Sequence, residues 1–180
     1  MHLTFDTWTQ ERYGPRSGRA HSPTAFTRGA VSMNDFARGL FVTCAGLWAG
    51  SGIFFSLVAL PTLFMNMEPA DAGRTAALLF PGYYAFGLGA GALLLAAVAI
   101  LVARGGGRHW YGIALAVMLG LACHAYATTS VRPRMGELRG LPTGVEEFQR
   151  LHRVSVRLNA VVLIISFALL AGSAKLLDRR

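Results

Sequence analysis

The sequence predicts an all-α integral membrane protein: a four-helix bundle with an extended fourth helix and a polar N-terminal tail. Of its 180 residues, 53% are hydrophobic and only 14% are charged, whereas roughly a quarter of the residues of a soluble domain are charged. The charges also avoid four long windows that contain no Asp, Glu, Lys or Arg. About 20 apolar residues suffice for a helix to cross about 30 Å of hydrocarbon, so each window predicts a membrane span.

Turn-forming residues set the limits of the spans. Pro61 lies near the end of the first window and Pro81 interrupts the second near its start, so both are trimmed. Glu68-Pro69-Ala70-Asp71 has the pattern of a helix start, and we expect a short interfacial helix there that ends before Pro81. The predicted spans cover residues 39–62, 82–104, 110–131 and 155–175.

The fourth helix is predicted to extend beyond its apolar core. Thr143-Gly144-Val145-Glu146 has capping-box spacing, and nothing from there to Leu177 breaks a helix. About 34 residues at 1.5 Å each give roughly 50 Å, so one end stands in water or the helix tilts. Aromatic residues near span ends are expected at the headgroup level; they are Tyr83, Tyr84, Trp110 and Tyr111.

Residues 1–36 form the predicted polar, basic tail, and residues 37–180 the four-span domain. Met33, directly before the helix-capping pair Asn34-Asp35, is an alternative translation start to Met1, and the intact mass of the natural protein distinguishes the two. Ten Lys and Arg residues lie on the side of the termini and seven on the other side. The positive-inside rule therefore favours cytoplasmic termini, and we expect a bacterial inner or cytoplasmic membrane location.

The charge balance and the chemistry-bearing residues disfavour several function classes. The formal charge of +8 fits loop topology and lipid contact, and nucleic acid is not expected as a partner. Cys44 and Cys123 lie in apolar windows and provide no disulfide framework and no zinc-binding spacing, so neither a metal nor a cofactor is predicted. The sequence has no catalytic motif and no acidic residue inside a trimmed span, which disfavours an enzyme.

Each span contains two small residues four positions apart, the pattern that lets helix backbones approach closely in lipid. We interpret these pairs as packing sites within the bundle, with contacts to partner subunits as the alternative. The pairs are Gly46 and Gly50, Gly87 and Gly91, Ala116 and Gly120, and Ala168 and Gly172.

The fourth helix separates into a polar face and a basic face. At 100° per residue, His152, Ser155 and Asn159 fall within about 60° of one another. The arginines on roughly the opposite side are predicted to face lipid headgroups or a partner; they are Arg150, Arg153 and Arg157.

On the third helix, His124 and Thr128 are possible partners for the polar face, so a polar seam between helices three and four is predicted. An interhelical hydrogen-bond clamp is the favoured interpretation. Ligation of haem or a metal by His124 and His152 is the alternative, although roughly 19 Å along the bundle axis separates them.

Several segments together resemble the transmembrane protein 205-like family. They are LPTLF at 60–64, AGR at 72–74, LFPGYY at 79–84, RPR at 132–134 and FQRLHRVSVRLN at 148–159. The resemblance covers residues 37 to 177 and implies a four-span membrane domain. It also implies that the face formed by Phe148, His152, Ser155 and Asn159 is a family feature. Proposed links of that family to resistance against metal-containing drugs imply metal handling, but no ligand set.

Two functions follow as hypotheses. The first is a non-enzymatic structural or accessory subunit that contacts the bilayer and packs against other membrane subunits, for which a respiratory or photosynthetic energy-transducing complex is a plausible host. The second is a small transporter or a metal- or haem-handling protein that uses the polar seam.

Overall fold

The computed structural model describes residues 32–177, and this part of the chain is helical, with no β-strand. Four helices are each long and apolar enough to cross a membrane, which confirms the predicted all-α membrane fold. Of the tail predicted over residues 1–36, only residues 32–36 are among those described. The helices are α1 (Met33–Asn66), α2 (Pro69–Ala103), α3 (His109–Leu138) and α4 (Val145–Leu177).

The helix ends follow local rules of capping and backbone geometry. Ser32 caps α1 by accepting a hydrogen bond from the backbone N–H of Asp35 at 3.1 Å. Pro69 occupies the first turn of α2, where a missing N–H costs nothing. The two longer connections each contain a glycine with positive φ, Gly105 at 83° and Gly140 at 84°, a backbone conformation that other residues rarely adopt.

Two helices continue through prolines at which the sequence predicts a break. The interfacial helix expected before Pro81 is not separate: α2 runs unbroken from Pro69 to Ala103. Pro81 removes one helical hydrogen bond, but the helix is held on its C-terminal side by the buried rings of Tyr83 and Tyr84.

Pro61 and Pro133 each follow a π-helical segment, Phe54–Ala59 in α1 and Ala127–Val131 in α3. Both prolines lie in the first turn of the α-helical part that follows. A proline is tolerated in such a first turn, so α1 and α3 extend past their prolines and the loop before α4 is shorter than predicted.

The four helices pack in a ring. α1 and α3 each contact both α2 and α4, and short connections make consecutive helices antiparallel. Apolar side chains fill the centre over most of its length, among them Phe41, Leu94, Val98 and Val117, all of them at most 1% exposed. Because there is no hydrophobic driving force for helix association in lipid, this close packing must itself hold the bundle together.

Cys44 and Cys123, the two cysteines of the chain, provide a test of this packing. They are 2% and 8% exposed, so a membrane-permeant maleimide should label neither in the folded protein in mild detergent, and both after denaturation. The control variant is Ser130→Cys, at an exposed position of α3, which should label rapidly in the folded protein. Rapid labelling of a natural cysteine in the folded chain would contradict this packing.

Candidate functional site: a buried polar cluster

The centre of the bundle contains a hydrogen bond between helices that are not neighbours in the ring. Trp48 of α1 donates its indole N–H to Nε2 of His124 of α3, at 3.2 Å. Both side chains are 1% exposed. An imidazole that accepts at Nε2 is neutral and carries its proton on Nδ1. The bond therefore satisfies two polar groups that would be costly to leave unpaired inside a membrane domain.

Glycines make room for these two side chains. A Cβ on Gly87 of α2 would overlap the imidazole of His124, 2.6 Å from its Cδ2, and one on Gly120 of α3 would lie 2.6 Å from the Trp48 ring. A Cβ on Gly91 would meet Leu121 at 2.7 Å and Trp48 at 3.4 Å. The helix backbones thus form the walls against which the tryptophan and the histidine pack.

Two tyrosines of α2 complete the surroundings of His124. The ring centroids of Tyr83 and Tyr84 lie 5.7 and 5.4 Å from the imidazole, both edge-on to it. Tyr83 also stacks on Phe55 of α1 at 4.3 Å. These tyrosines are buried, 8% and 2% exposed, rather than displayed to headgroups as their positions near a span end suggest. Trp110 is likewise buried, whereas Tyr111 is exposed.

Asn159 of α4 joins three helices through its amide. Its Oδ1 accepts a hydrogen bond from the Tyr83 hydroxyl at 2.6 Å, and its Nδ2 donates to Ser56 Oγ of α1 at 2.8 Å. One turn away on α4, Ser155 Oγ lies 3.5 Å from the Tyr84 hydroxyl. We call Trp48, Ser56, Tyr83, Tyr84, His124, Ser155 and Asn159 the buried polar cluster.

The structure does not join the predicted seam residues of helices three and four to one another directly. Thr128 donates to the backbone carbonyl of His124 in its own helix at 2.9 Å, and His152 is exposed. His124 bonds to Trp48 of α1 and packs against the tyrosines of α2. Ser155 lies next to Tyr84 of α2, and Asn159 bonds to Tyr83 of α2 and Ser56 of α1. The polar connection from His124 of α3 to Ser155 and Asn159 of α4 thus runs through the tyrosines of α2, because their long side chains reach the bundle centre.

The small-residue pairs divide into inward and outward positions. Gly87, Gly91 and Gly120 face side chains of other helices, and a Cβ on Gly46 would lie 3.9 Å from Leu170. At Gly52, which the four-residue pattern does not identify, a Cβ would lie 2.7 Å from Leu163 of α4. Ala116 is partly buried. The remaining members are exposed, namely Gly50, Ala168 and Gly172.

The basic face of α4 is exposed at all three arginines, Arg150, Arg153 and Arg157. A separate ion-pair group fastens the end of α3 to the start of α4. In it, Arg134 donates to Glu147 at 3.0 and 3.2 Å and to Glu137 at 2.9 Å. Exposed pairs of this kind contribute little to stability, because water and salt screen the charges.

The chemistry open to the buried polar cluster is limited by its own hydrogen bonds. The Nε2 lone pair of His124 accepts the hydrogen bond from Trp48, and both the oxygen and the nitrogen of the Asn159 amide form hydrogen bonds. Within residues 32–177, no three His, Cys, Asp or Glu side chains are grouped so that they could hold a metal ion. The arrangement is an interhelical clamp in which aromatic rings and hydrogen bonds connect all four helices.

Sequence reasoning identified His124, Ser155 and Asn159 but missed Trp48, Ser56 and the inward orientation of both tyrosines. The position of Trp48 in the sequence indicates that its side chain faces the interior of the protein. It lies in the middle of the first predicted span, whereas a lipid-facing tryptophan favours the span ends.

These features define a four-span membrane protein whose helices are clamped by a buried polar cluster. Residues 43–141 match the model of a family described as Domain of unknown function (DUF4149), and the chain belongs to that family. The matched segment contains Trp48, Tyr83, Tyr84 and His124, whereas Ser155 and Asn159 lie beyond it.

The chain is also 28% identical over 127 residues to an uncharacterized protein of Aquifex aeolicus (strain VF5). That alignment covers 71% of this chain and 89% of the relative. No solved structure matches the chain.

The Gly87 contact provides a test of the clamp. In Gly87→Ala the new methyl group would displace the imidazole from Trp48, and we expect a loss of about 1–3 kcal/mol of stability, typical of overpacking. The measurement is thermal unfolding in detergent, followed by tryptophan emission, to which Trp8, Trp48 and Trp110 contribute.

Gly89→Ala is the matched control, because a Cβ at Gly89 would meet nothing within 4 Å. It should be neutral or slightly stabilising, since alanine favours the helix. Equal stability of the two variants would show that Gly87 does not hold the imidazole in place.

Proposed function

We propose that the protein is a non-enzymatic structural or accessory subunit that packs against other membrane subunits in a larger assembly. The observation that carries the proposal is the outward face of α4. Only 17% of the apolar stretch of α4 is buried within the protein, compared with 39% for α1 and for α2. A helix that spans the membrane but contributes so little to its own bundle has most of its surface available to neighbours.

The residues on that face suit contact with another helix. Ala168 and Gly172 are exposed four positions apart, and a Cβ on Gly172 would meet nothing within 4 Å. Large apolar side chains flank them, with Ile164 69% and Phe167 59% exposed. Small residues allow a second backbone to approach closely, and the flanking side chains then pack around it.

The buried polar cluster supports a structural role in a second way. Trp48 bonds to His124, and Asn159 bonds to Tyr83 and Ser56, so the cluster gives the bundle rigidity and offers no acid–base pair for catalysis. A rigid bundle presents its outer faces in fixed geometry, which reduces the entropy lost when a partner binds.

The proposal also covers the membrane, the orientation and the partners of the protein. We place the protein in a bacterial inner or cytoplasmic membrane with both termini in the cytoplasm, in contact with lipid and protein but not with nucleic acid. A respiratory or photosynthetic complex is the proposed class of host. Kinship with the transmembrane protein 205-like family is also a proposal, supported by segments such as LFPGYY at 79–84 and FQRLHRVSVRLN at 148–159.

Gly172→Leu tests the outward face of α4. The leucine has free space within the chain itself, so the fold should survive while the partner is sterically displaced. Wild-type protein purified from native membranes in mild detergent should bring a partner subunit with it, and Gly172→Leu should lose it without a change in unfolding temperature.

Gly112→Leu is the control for that experiment. Gly112 of α3 is also exposed, and a Cβ there would also meet nothing within 4 Å, so its substitution should retain the partner. A wild-type protein that elutes alone, or equal partner retention by both variants, would refute the proposal.

A small transporter or a metal- or haem-handling protein is the second candidate. It is favoured by the two π-helical segments beside the buried polar cluster, since such segments are frequent at functional sites. Under this alternative, protein purified from native membranes shows a visible absorption band or bound metal, and His124→Ala or His152→Ala abolishes it. Absence of both signals in the native material would exclude a bound haem or metal.

A further inference from the structure

Arg132 directly follows the predicted span 110–131 and has no acidic partner within residues 32–177. It is partly buried, and its guanidinium carbon lies 5.9 Å from the centroid of the Tyr84 ring, within cation–π distance. Within residues 32–177 it makes neither a salt bridge nor a side-chain hydrogen bond. A charge held at this depth is normally paired or aimed at the headgroup layer.

The carboxylates at this end of the bundle are engaged elsewhere or exposed. Glu137 and Glu147 bind Arg134, and Asp71 binds Arg74. Glu68 and Glu146 are exposed and form no ion pair with Arg132. Among residues 32–177, the positive charge of Arg132 therefore has no carboxylate to neutralise it.

Tyr84, whose ring the guanidinium contacts, carries a hydroxyl group that lies beside the hydroxyl of Ser155. The Tyr84 hydroxyl and Ser155 Oγ are 3.5 Å apart, longer than the usual 2.7–2.8 Å of an O–H···O bond. Neither forms another hydrogen bond within the described part of the chain. Tyr84 is 2% exposed and supports the guanidinium, whereas Ser155 is only partly buried and can reach a ligand.

The predicted spans place the three residues at one depth in the membrane. Arg132 directly follows the predicted span 110–131, Ser155 begins the span 155–175 and Tyr84 lies at the start of the span 82–104. Three helices thus place donors where the hydrocarbon layer ends and the phosphate groups of the lipids begin. We propose that Arg132 and Ser155, supported by the ring of Tyr84, bind the phosphate of a phospholipid headgroup.

The donors of Arg132 and Ser155 match the arrangement of oxygens on a phosphate group. A guanidinium presents a planar fork of N–H donors that matches two phosphate oxygens, and a hydroxyl supplies a third donor. The acyl chains of a bound lipid would remain in the hydrocarbon layer beside the helices. This site does not depend on the proposed partner contact of α4, which lies around Gly172 near the C-terminal end of that helix.

The test is a binding titration of the purified full-length protein in detergent, read by native mass spectrometry. Dioleoylphosphatidylglycerol is the probe, and dioleoylglycerol, with the same chains but no phosphate, is the comparison. We expect the phospholipid to bind and dioleoylglycerol not to bind. A large excess of inorganic phosphate should not displace the lipid.

Variants locate the site. Arg132→Gln should weaken binding of the phospholipid about tenfold, the usual effect of losing a charge-assisted hydrogen bond. Arg132→Lys keeps the charge but loses the fork, and Ser155→Ala loses one donor, so each should weaken binding several-fold. Arg104→Gln removes the same charge from an exposed position directly after α2 and should leave binding unchanged.

Three results would overturn the proposal. Equal weakening by Arg132→Gln and Arg104→Gln would indicate general attraction to a basic surface. Equal binding of dioleoylglycerol would indicate acyl-chain contact alone, and displacement by inorganic phosphate would indicate a site for the free anion. If Arg132→Gln fails to fold, unchanged affinity in Ser155→Ala would refute the site by itself.

Discussion

The hydrogen bond from Trp48 to His124 is the contact on which the rest of the bundle depends. It connects α1 to α3 across the centre, although these two helices are not neighbours in the ring. To accommodate it, α2 and α3 must present glycine backbone at positions 87, 91 and 120. The remaining apolar core then packs around a fixed central pair, and a small change in any of the three glycines would be felt by all the helices that touch it.

The core of the bundle is apolar in one part and polar in another, because polar groups in a membrane must find their hydrogen-bond partners inside the protein. One part of the core consists of apolar side chains, including Leu94, Val98 and Val117. Towards the connection between α3 and α4, aromatic rings and hydroxyl groups replace them, and Asn159 bonds to two other helices. Hydrogen bonds of this kind contribute on average about 0.6 kcal/mol each, so their main effect is to determine which helix faces meet.

The fold was largely accessible from sequence, whereas the cluster was accessible only in part. Charge-free windows locate the helices because the bilayer sets their length and composition. Periodicity also placed Ser155 and Asn159 on one face of α4. It could not identify Tyr83 as the partner of Asn159, since that pairing depends on how far a tyrosine of another helix reaches across the bundle. The continuity of α2 through Pro81 was missed for a related reason: tertiary burial on the following turn outweighs a local helix-breaking tendency.

The π-helical segments have a consequence for how related chains should be aligned. A π-helical turn holds more residues than an α-helical turn. Ala127–Val131 lies between the buried residues His124 and Leu138, and Phe54–Ala59 follows the buried Gly52. Inserting a residue into a regular helix rotates everything beyond it by about 100°. A wide turn absorbs the extra residue locally, so the faces above and below keep their orientation. Single-residue gaps at these two segments are therefore compatible with an unchanged bundle, whereas a gap near Trp48 or Gly120 would displace the centre of the molecule.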